Sequence, residues 1–290
     1  MTGCEDAAPV ASPTEHTAVV AGVETFWRRA EPDTGRAPIL FVHGVPTNSD
    51  IWLPFLDACG GVALDLPGFG RSGKPADFDY SISGYDRFLE AFLDHTGLER
   101  FSLVVHDWGG ALGLAIAQRL TERLERLVLF SSLPLLPGYR WHRIARLWRT
   151  PLVGEMVMGF TTRFTMKRAL REANFAPGSM PDDFLDSAYR HFDHGTQRAI
   201  LKLYRSAPPE VLERAGRELG GITAPTLILW PTDDPYIPAE FGPAYAEAIG
   251  GEPRLEMIDH AGHWTWLDRP ELVGVAADFL AGEPAASEME

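Results

Sequence analysis

The stretch Leu103-Val104-Val105-His106-Asp107-Trp108-Gly109-Gly110-Ala111-Leu112-Gly113 is the most informative in the chain. Its first half is a short β-rich apolar run, and its second half is a helix of small and apolar residues, with a sharp turn between them at Asp107. Gly109 removes the side chain that would crowd such a turn. The spacing predicts Asp107 exposed near a helix N-terminus, where the partial positive charge favours a carboxylate. An Asp at that place is also open to reading as an ordinary helix N-cap.

On either side of it, similar apolar runs occur at Pro38-Ile39-Leu40-Phe41-Val42, Gly61-Val62-Ala63-Leu64-Asp65, Leu124 to Phe130 and Pro225-Thr226-Leu227-Ile228-Leu229-Trp230. Continuous apolar strands alternating with helical patterns predict a mostly parallel α/β sheet covered on both faces. The inner runs end in polar or glycine-rich turns, and these should converge beyond the carboxyl ends of the strands. From about 133 to 219 the strand signal disappears into helices rich in Arg, Trp, Phe, Tyr and Met. We therefore expect a core of 18–132 and 220–281, a helical insertion at 133–219, and loose termini at 1–17 and 282–290.

The chain has 290 residues with 26 Lys and Arg against 40 Asp and Glu, a formal charge of −14. Such acidity repels phosphate backbones and argues against a nucleic-acid partner. Only Cys4 and Cys59 are present, so neither a disulfide framework nor a cysteine-ligated metal is supported, and a reducing, cytoplasmic setting fits. Cys4 superficially has the look of a lipid-attachment site, but no basic or apolar segment precedes it. No window has the roughly 18 apolar residues of a spanning helix, so no membrane partner is expected. The phrase Gly68-Phe69-Gly70-Arg71-Ser72-Gly73 lacks a following Gly-Lys-Ser/Thr and reads as a connecting turn, not a phosphate loop. The histidines show no metal-ligand spacing, and no cofactor is implied.

Two further elements follow Asp107 in a telling order. Leu229-Trp230-Pro231-Thr232-Asp233-Asp234 leaves a strand with paired acids, and Ile258-Asp259-His260-Ala261-Gly262-His263-Trp264 brings histidines at another apolar-to-glycine transition. Asp233 can equally be a solvated loop acid, and His260 a structural or surface histidine. Nucleophile, acid, then histidine is the chain order of α/β hydrolases, and the Asp107 turn has the layout of their nucleophile elbow. Nearly the whole chain after residue 18 resembles that superfamily, and its motifs resemble the haloalkane dehalogenase and epoxide hydrolase branch. His43-Gly44-Val45-Pro46 is similar to the family's His-Gly-x-Pro turn, Val105-His106-Asp107-Trp108-Gly109 to its nucleophile motif, and Ala261-Gly262-His263 to its histidine motif. Pro231-Thr232-Asp233-Asp234 is similar to its Gly-x-x-Asp turn, which favours Asp234 over Asp233. The resemblance implies that 133–219 is a cap domain and that Asp107, Asp234 and His263 form a triad.

A carboxylate nucleophile suits displacement of a leaving group at saturated carbon through an alkyl-enzyme ester. His263 would then activate water, Asp234 would orient the imidazole, and the Val45 and Trp108 backbone N–H groups would form the oxyanion hole. The leaving group separates two reactions. A halide needs N–H donors but no proton, whereas an opening epoxide needs an acid such as Tyr. The Trp108 indole beside the nucleophile favours a halide, although aromatic packing is its plain alternative. A second halide donor would come from the insertion, with Trp148 preferred over Trp141 and helix-core packing as the alternative. Val45 stands where dehalogenases carry Asn or Glu, which removes one familiar halide partner. Leu203-Tyr204-Arg205 resembles the Tyr-Arg phrase of epoxide hydrolases, and Tyr204 could equally pack within the cap. Hydrolytic dehalogenation of a small, neutral, apolar substrate is thus the first expectation, and epoxide hydrolysis the second. Another α/β-hydrolase reaction, or a catalytically silent ligand-binding scaffold, completes the set.

Overall fold

A computed structural model describes residues 12–31, 37–176 and 178–282. Cys4 and the tail after Gly282 lie outside the described residues. Eight strands form one sheet: β1 (Thr14–Val20), β2 (Val23–Ala30), β3 (Ile39–Val42), β4 (Gly61–Leu64), β5 (Phe101–Asp107), β6 (Leu124–Ser132), β7 (Thr226–Pro231) and β8 (Arg254–Ile258). Their order is β1-β2-β4-β3-β5-β6-β7-β8. From β4 to β8 neighbouring strands run parallel, while β1 and β2 add antiparallel to one edge.

Side chains alternate across a strand, so an apolar run without polar interruption needs a core on each face. That is what these strands have. Leu40, Val42, Leu103, Val105, Leu127, Leu129 and Ile228 pack into one hydrophobic cluster. Their chain neighbours Ile39, Phe41, Val104, Val128, Phe130, Leu227 and Leu229 pack into the other. All seven residues of β5 are buried, which places Asp107 at the carboxyl end of a central, immobilised strand.

The expectation of loose chain up to residue 17 is corrected at Thr14–Thr17. These residues pair with Arg29, Arg28, Trp27 and Phe26 in an antiparallel hairpin. Ala21 and Gly22 close it with φ of 47° and 82°, the positive pair that a two-residue hairpin loop requires. Polar β1 is exposed along most of its length, so its sequence carries no apolar run to announce it.

Between β6 and β7 the described residues form six α-helices and no strand: Arg143–Arg149, Val153–Gly159, Arg163–Glu172, Asp182–Arg190, His194–Ser206 and Pro209–Ala215. Short polar caps punctuate them. Thr162 and Thr165 cap each other's ends reciprocally, and the Asp193 carboxylate accepts the Thr196 N–H at 3.0 Å.

Candidate active site

Asp107 sits on a strained elbow, with φ 53° and ψ −125°, between β5 and the helix Trp108–Arg119. A non-glycine residue holds such a backbone only where its surroundings over-determine it. Here close packing does so: a Cβ on Gly109 would lie 2.1 Å from the Val42 carbonyl oxygen, and one on Gly110 2.2 Å from Ser132. Asp107 is 7% exposed, which corrects the expectation of an exposed carboxylate. It makes no side-chain cap to its helix, so the N-cap reading fails as well. The helix packs so tightly onto the sheet that the elbow turns the side chain away from the helix and under the inserted helices.

There the carboxylate meets the turn after β3. Oδ1 accepts the Val45 N–H at 2.7 Å, and the Trp108 N–H also bonds the carboxylate. Gly44 is required for this approach, because its Cβ would fall 2.2 Å from Oδ1. The buried His43 fixes the turn. Its Nε2 accepts the Leu66 N–H at 3.0 Å, so Nδ1 carries the proton and donates to the Gly44 carbonyl at 2.8 Å. Burial lowers the pKa of His43 and keeps it neutral.

His263 Nε2 lies 3.7 Å from Asp107 Oδ2, and its Nδ1 lies 2.7 Å from Asp234 Oδ2. Asp234 is pinned in turn by the Tyr236 N–H at 2.7 Å, the Ile237 N–H at 3.1 Å and the Ser131 hydroxyl. Burial opposes its charge, but His263 and these donors outweigh burial and hold its pKa below the ordinary carboxylate value. For Asp107 burial wins and the pKa is raised, with His263 and the two N–H groups opposing. Burial also works against protonated His263, yet the Asp234 and Asp107 carboxylates raise its pKa above the ordinary imidazole value. Asp233 is exposed and bonds Thr232, and His260 is exposed against Phe175, so neither joins the cluster.

A cavity of about 230 Å³ opens over Asp107 and His263. Tyr204 and Trp148 both line it, edge to face with ring centroids 5.0 Å apart. The Trp148 indole N–H is buried without a partner, while that of Trp141 donates to the Ala207 carbonyl at 3.2 Å. Trp108 differs from expectation. Its ring is fully buried between Trp141 and Tyr204, outside the cavity wall, at centroid distances of 5.6 and 5.1 Å. Its indole N–H makes no hydrogen bond of normal geometry, and the Tyr204 hydroxyl is the group it acts on. Burial, then the charge of Asp107, push the Tyr204 pKa well above the ordinary phenol value, with Trp108 opposing. The remaining wall is largely apolar, with Ile144, Leu147, Met166 and Phe192.

Sequence reasoning missed three neighbours. His106 holds the His263 backbone carbonyl at 2.9 Å through Nε2, and burial lowers its pKa well below the usual value. His142 lines the cavity with its ring tilted against Tyr236 at a centroid distance of 4.8 Å, and its pKa is lowered to about 4 chiefly by burial. Tyr139 has a buried, unpartnered hydroxyl whose pKa burial and Asp107 raise. The adjacency of His106 to Asp107 was a usable signal, whereas His142 and Tyr139 stand in the insertion without a motif.

The alpha/beta hydrolase fold family matches residues 37–270 of the chain. Epoxide hydrolase 3 of Xenopus tropicalis is 26% identical over 273 residues, covering 87% of this chain and 73% of that protein. Haloalkane dehalogenase 1 of Mycobacterium tuberculosis is 31% identical over 239 residues, 76% of each. Among solved structures, a loop variant of a haloalkane dehalogenase from Bradyrhizobium elkanii superposes with a TM-score of 0.80 at 25% identity, covering 96% of this chain and 99% of that one. With an eight-stranded sheet, an elbow after its fifth strand and these relatives, the chain belongs to the α/β-hydrolase superfamily, in the branch of the haloalkane dehalogenases and epoxide hydrolases, and is a hydrolase.

Proposed function

We propose that the protein hydrolyses a small, neutral, apolar substrate through an ester on Asp107, and that the first step is the opening of an epoxide. The observation that carries this reading is the Tyr204 hydroxyl on the wall of the Asp107 cavity, backed by the Trp108 indole. Asp107 Oδ2, free of the Val45 N–H, attacks a ring carbon. The carbon–oxygen bond breaks and its electron pair stays on the oxygen, which takes the Tyr204 proton. Because Oδ1 is held by the Val45 N–H, it becomes the ester carbonyl oxygen. His263 then takes a proton from water, whose oxygen adds to Asp107 Cγ, and the Val45 and Trp108 N–H groups receive the oxyanion. Asp234 supports the imidazolium. Collapse releases the diol, with the His263 proton passing to the leaving oxygen. The proton left on the Asp107 carboxyl restores Tyr204. The inserted helices act in this scheme as a cap that excludes bulk water.

Hydrolytic dehalogenation is the second reading, and Trp148 favours it. Trp148 lines the same cavity, and its buried indole N–H, which has no partner, would stabilise a departing halide, with the Tyr204 hydroxyl as the other donor. Trp108 supports this reading less than its sequence position suggests, since Tyr204 stands between it and the cavity.

His263→Gln separates the two. Dealkylation should stall, and intact-protein mass analysis should find a hydroxyalkyl adduct on Asp107 after an epoxide, or an alkyl adduct after a haloalkane. No adduct from a broad panel of both would sink the ester mechanism. Tyr204→Phe should slow adduct formation from epoxides by about 10²-fold, the lower end of general-acid contributions, and leave haloalkanes nearly unaffected. The opposite pattern would make dehalogenation the reaction.

A further inference from the structure

The inserted helices carry a charge opposite to that of the chain as a whole. Between Arg140 and Arg171 there are eight Arg and Lys against one acid, Glu155, in a chain of formal charge −14. Glu155 is already bound by Arg205 at 2.7 Å. Arg163, Lys167, Arg168 and Arg171 pair with acids of their own or a neighbouring helix. Arg140, Arg143 and Arg146 are exposed, and among the described residues their side chains have no ion-pair partner.

The helix that carries Arg143 and Arg146 packs on the helix Val153–Gly159, whose outer surface is apolar. Val153, Met156 and Phe160 share one face of the helix Val153–Gly159 and its C-cap by their i, i+3, i+7 spacing, and Phe164 stands in the first turn of the next helix. Leu152, Met156, Phe160 and Phe164 are 78%, 61%, 77% and 75% exposed. Val157, Thr161 and Thr165 line both the groove on this surface and the catalytic cavity behind it. The apolar surface is therefore continuous with the rim of the active site.

We propose that this face docks on an anionic lipid surface, placing the rim of the catalytic cavity against the bilayer so that an apolar substrate dissolved there enters directly. A basic segment with protruding Phe, Leu and Met is the composition that lies in a membrane interface, cations towards the headgroups and rings between them. Among the described residues no helix is long and apolar enough to cross a membrane, and peripheral docking needs none. A second copy of the chain fits the face less well. Isologous pairing would bring the two cation-rich surfaces together with Glu155 already engaged, so like charges would meet unmatched. Entry of substrate from the lipid rests on the proposed hydrolase reading; docking does not, and it is tested without substrate.

Full-length protein should co-sediment with phosphatidylcholine vesicles containing phosphatidylserine, and high salt should release it. Vesicles of phosphatidylcholine alone should retain much less. Replacing Arg143 and Arg146 with Gln should weaken partition by about fivefold for each charge removed. Phe160→Ser with Phe164→Ser should abolish it, with melting temperature and circular dichroism showing both double variants folded. Failure to bind either vesicle, equal binding to both, or binding indifferent to the four substitutions would overturn the proposal. So would a wild-type dimer in sedimentation velocity that the Phe variants dissociate without any vesicle binding, since the face would then belong to a second copy.

Discussion

Under the proposed ester mechanism, Asp107 and His263 are tuned in ways that make the two half-reactions respond differently to acid. Burial raises the Asp107 pKa from its ordinary 3.8, while the Asp234 and Asp107 carboxylates raise that of His263 from 6.5 despite burial. Ester formation needs ionised Asp107, and ester hydrolysis needs neutral His263. As pH falls, protonation removes His263 as a base, and the imidazolium so formed opposes protonation of the neighbouring Asp107 and keeps the nucleophile ionised. Once the ester forms, the Asp107 charge disappears and one of the supports for imidazolium goes with it. The His263 pKa should then drop, which assists hydrolysis near neutrality. Rapid-quench mass analysis across pH should find the covalent adduct accumulating on the acid side of the turnover profile. An adduct fraction that does not rise as turnover falls would contradict these roles. Gly44→Ala is a selective probe of the same carboxylate, because the nearest atoms to its new Cβ all belong to Asp107. Displacing the nucleophile by about 1 Å should cost on the order of 10² in turnover, and because the Asp107 Cβ, 2.4 Å from the new methyl, belongs to the fixed elbow, some melting temperature should be lost as well.

The elements explain which parts of the fold could be read beforehand. Strands β3, β4, β5, β6 and β7 are central and covered on both faces, so each writes itself as an apolar run. β1 is mostly exposed, β8 is partly exposed along most of its length, and β2 carries Glu24, Arg28 and Arg29 among its apolar residues, so none of the three presents such a run. Asp107, Asp234 and His263 were legible because each follows a strand or sits in a short motif at a glycine-bearing turn. Tyr204 had the short Leu203-Tyr204-Arg205 phrase to single it out, whereas Trp148 had only its residue type. The burial of Trp108 behind Tyr204 was not legible, since it depends on how the helix His194–Ser206 lies over the elbow. The elbow itself predicts a larger loss of stability at Gly109 than at Gly44. In Gly109→Ala the new Cβ meets the Val42 and His43 carbonyl oxygens at 2.1 and 2.7 Å, and backbone of a central strand cannot move aside. Overpacking of this kind costs about 1–3 kcal/mol or more, so this variant should lose melting temperature along with activity. Unchanged thermal stability would mean the elbow is less tightly set than its glycines indicate.

Across the chain as a whole, the inserted helices must stay seated on the loop that carries His263, and one acid holds the seam. Asp268 accepts the Phe175 N–H at 2.9 Å, the Ala176 N–H at 3.0 Å and the Ser179 hydroxyl at 2.7 Å, all from the insertion. It also accepts the Gly262 N–H at 2.9 Å from the histidine loop. The His263 N–H reaches back to the Ala173 carbonyl at 2.8 Å, closing the connection from the other side. A Cβ on Gly262 would strike that same carbonyl at 2.4 Å, so the loop approaches the insertion as backbone against backbone. Hydrogen bonds to a charged acceptor contribute about 1.5–3 kcal/mol each, and partial exposure of the site lets water replace part of that on mutation. Asp268→Ala should therefore cost roughly 3 kcal/mol in all. At about 2–4 °C per kcal/mol for a chain of this size, the melting temperature should fall by roughly 6–12 °C. Turnover should fall with it, because His263 loses its rigid backing, while adduct formation on Asp107 should persist, since alkylation does not use the histidine as a base. Single-turnover mass analysis of the variant checks this: slow release from a normally formed adduct is the expected outcome, and a loss of alkylation equal to the loss of turnover would show that Asp268 supports the whole cavity and not the histidine loop.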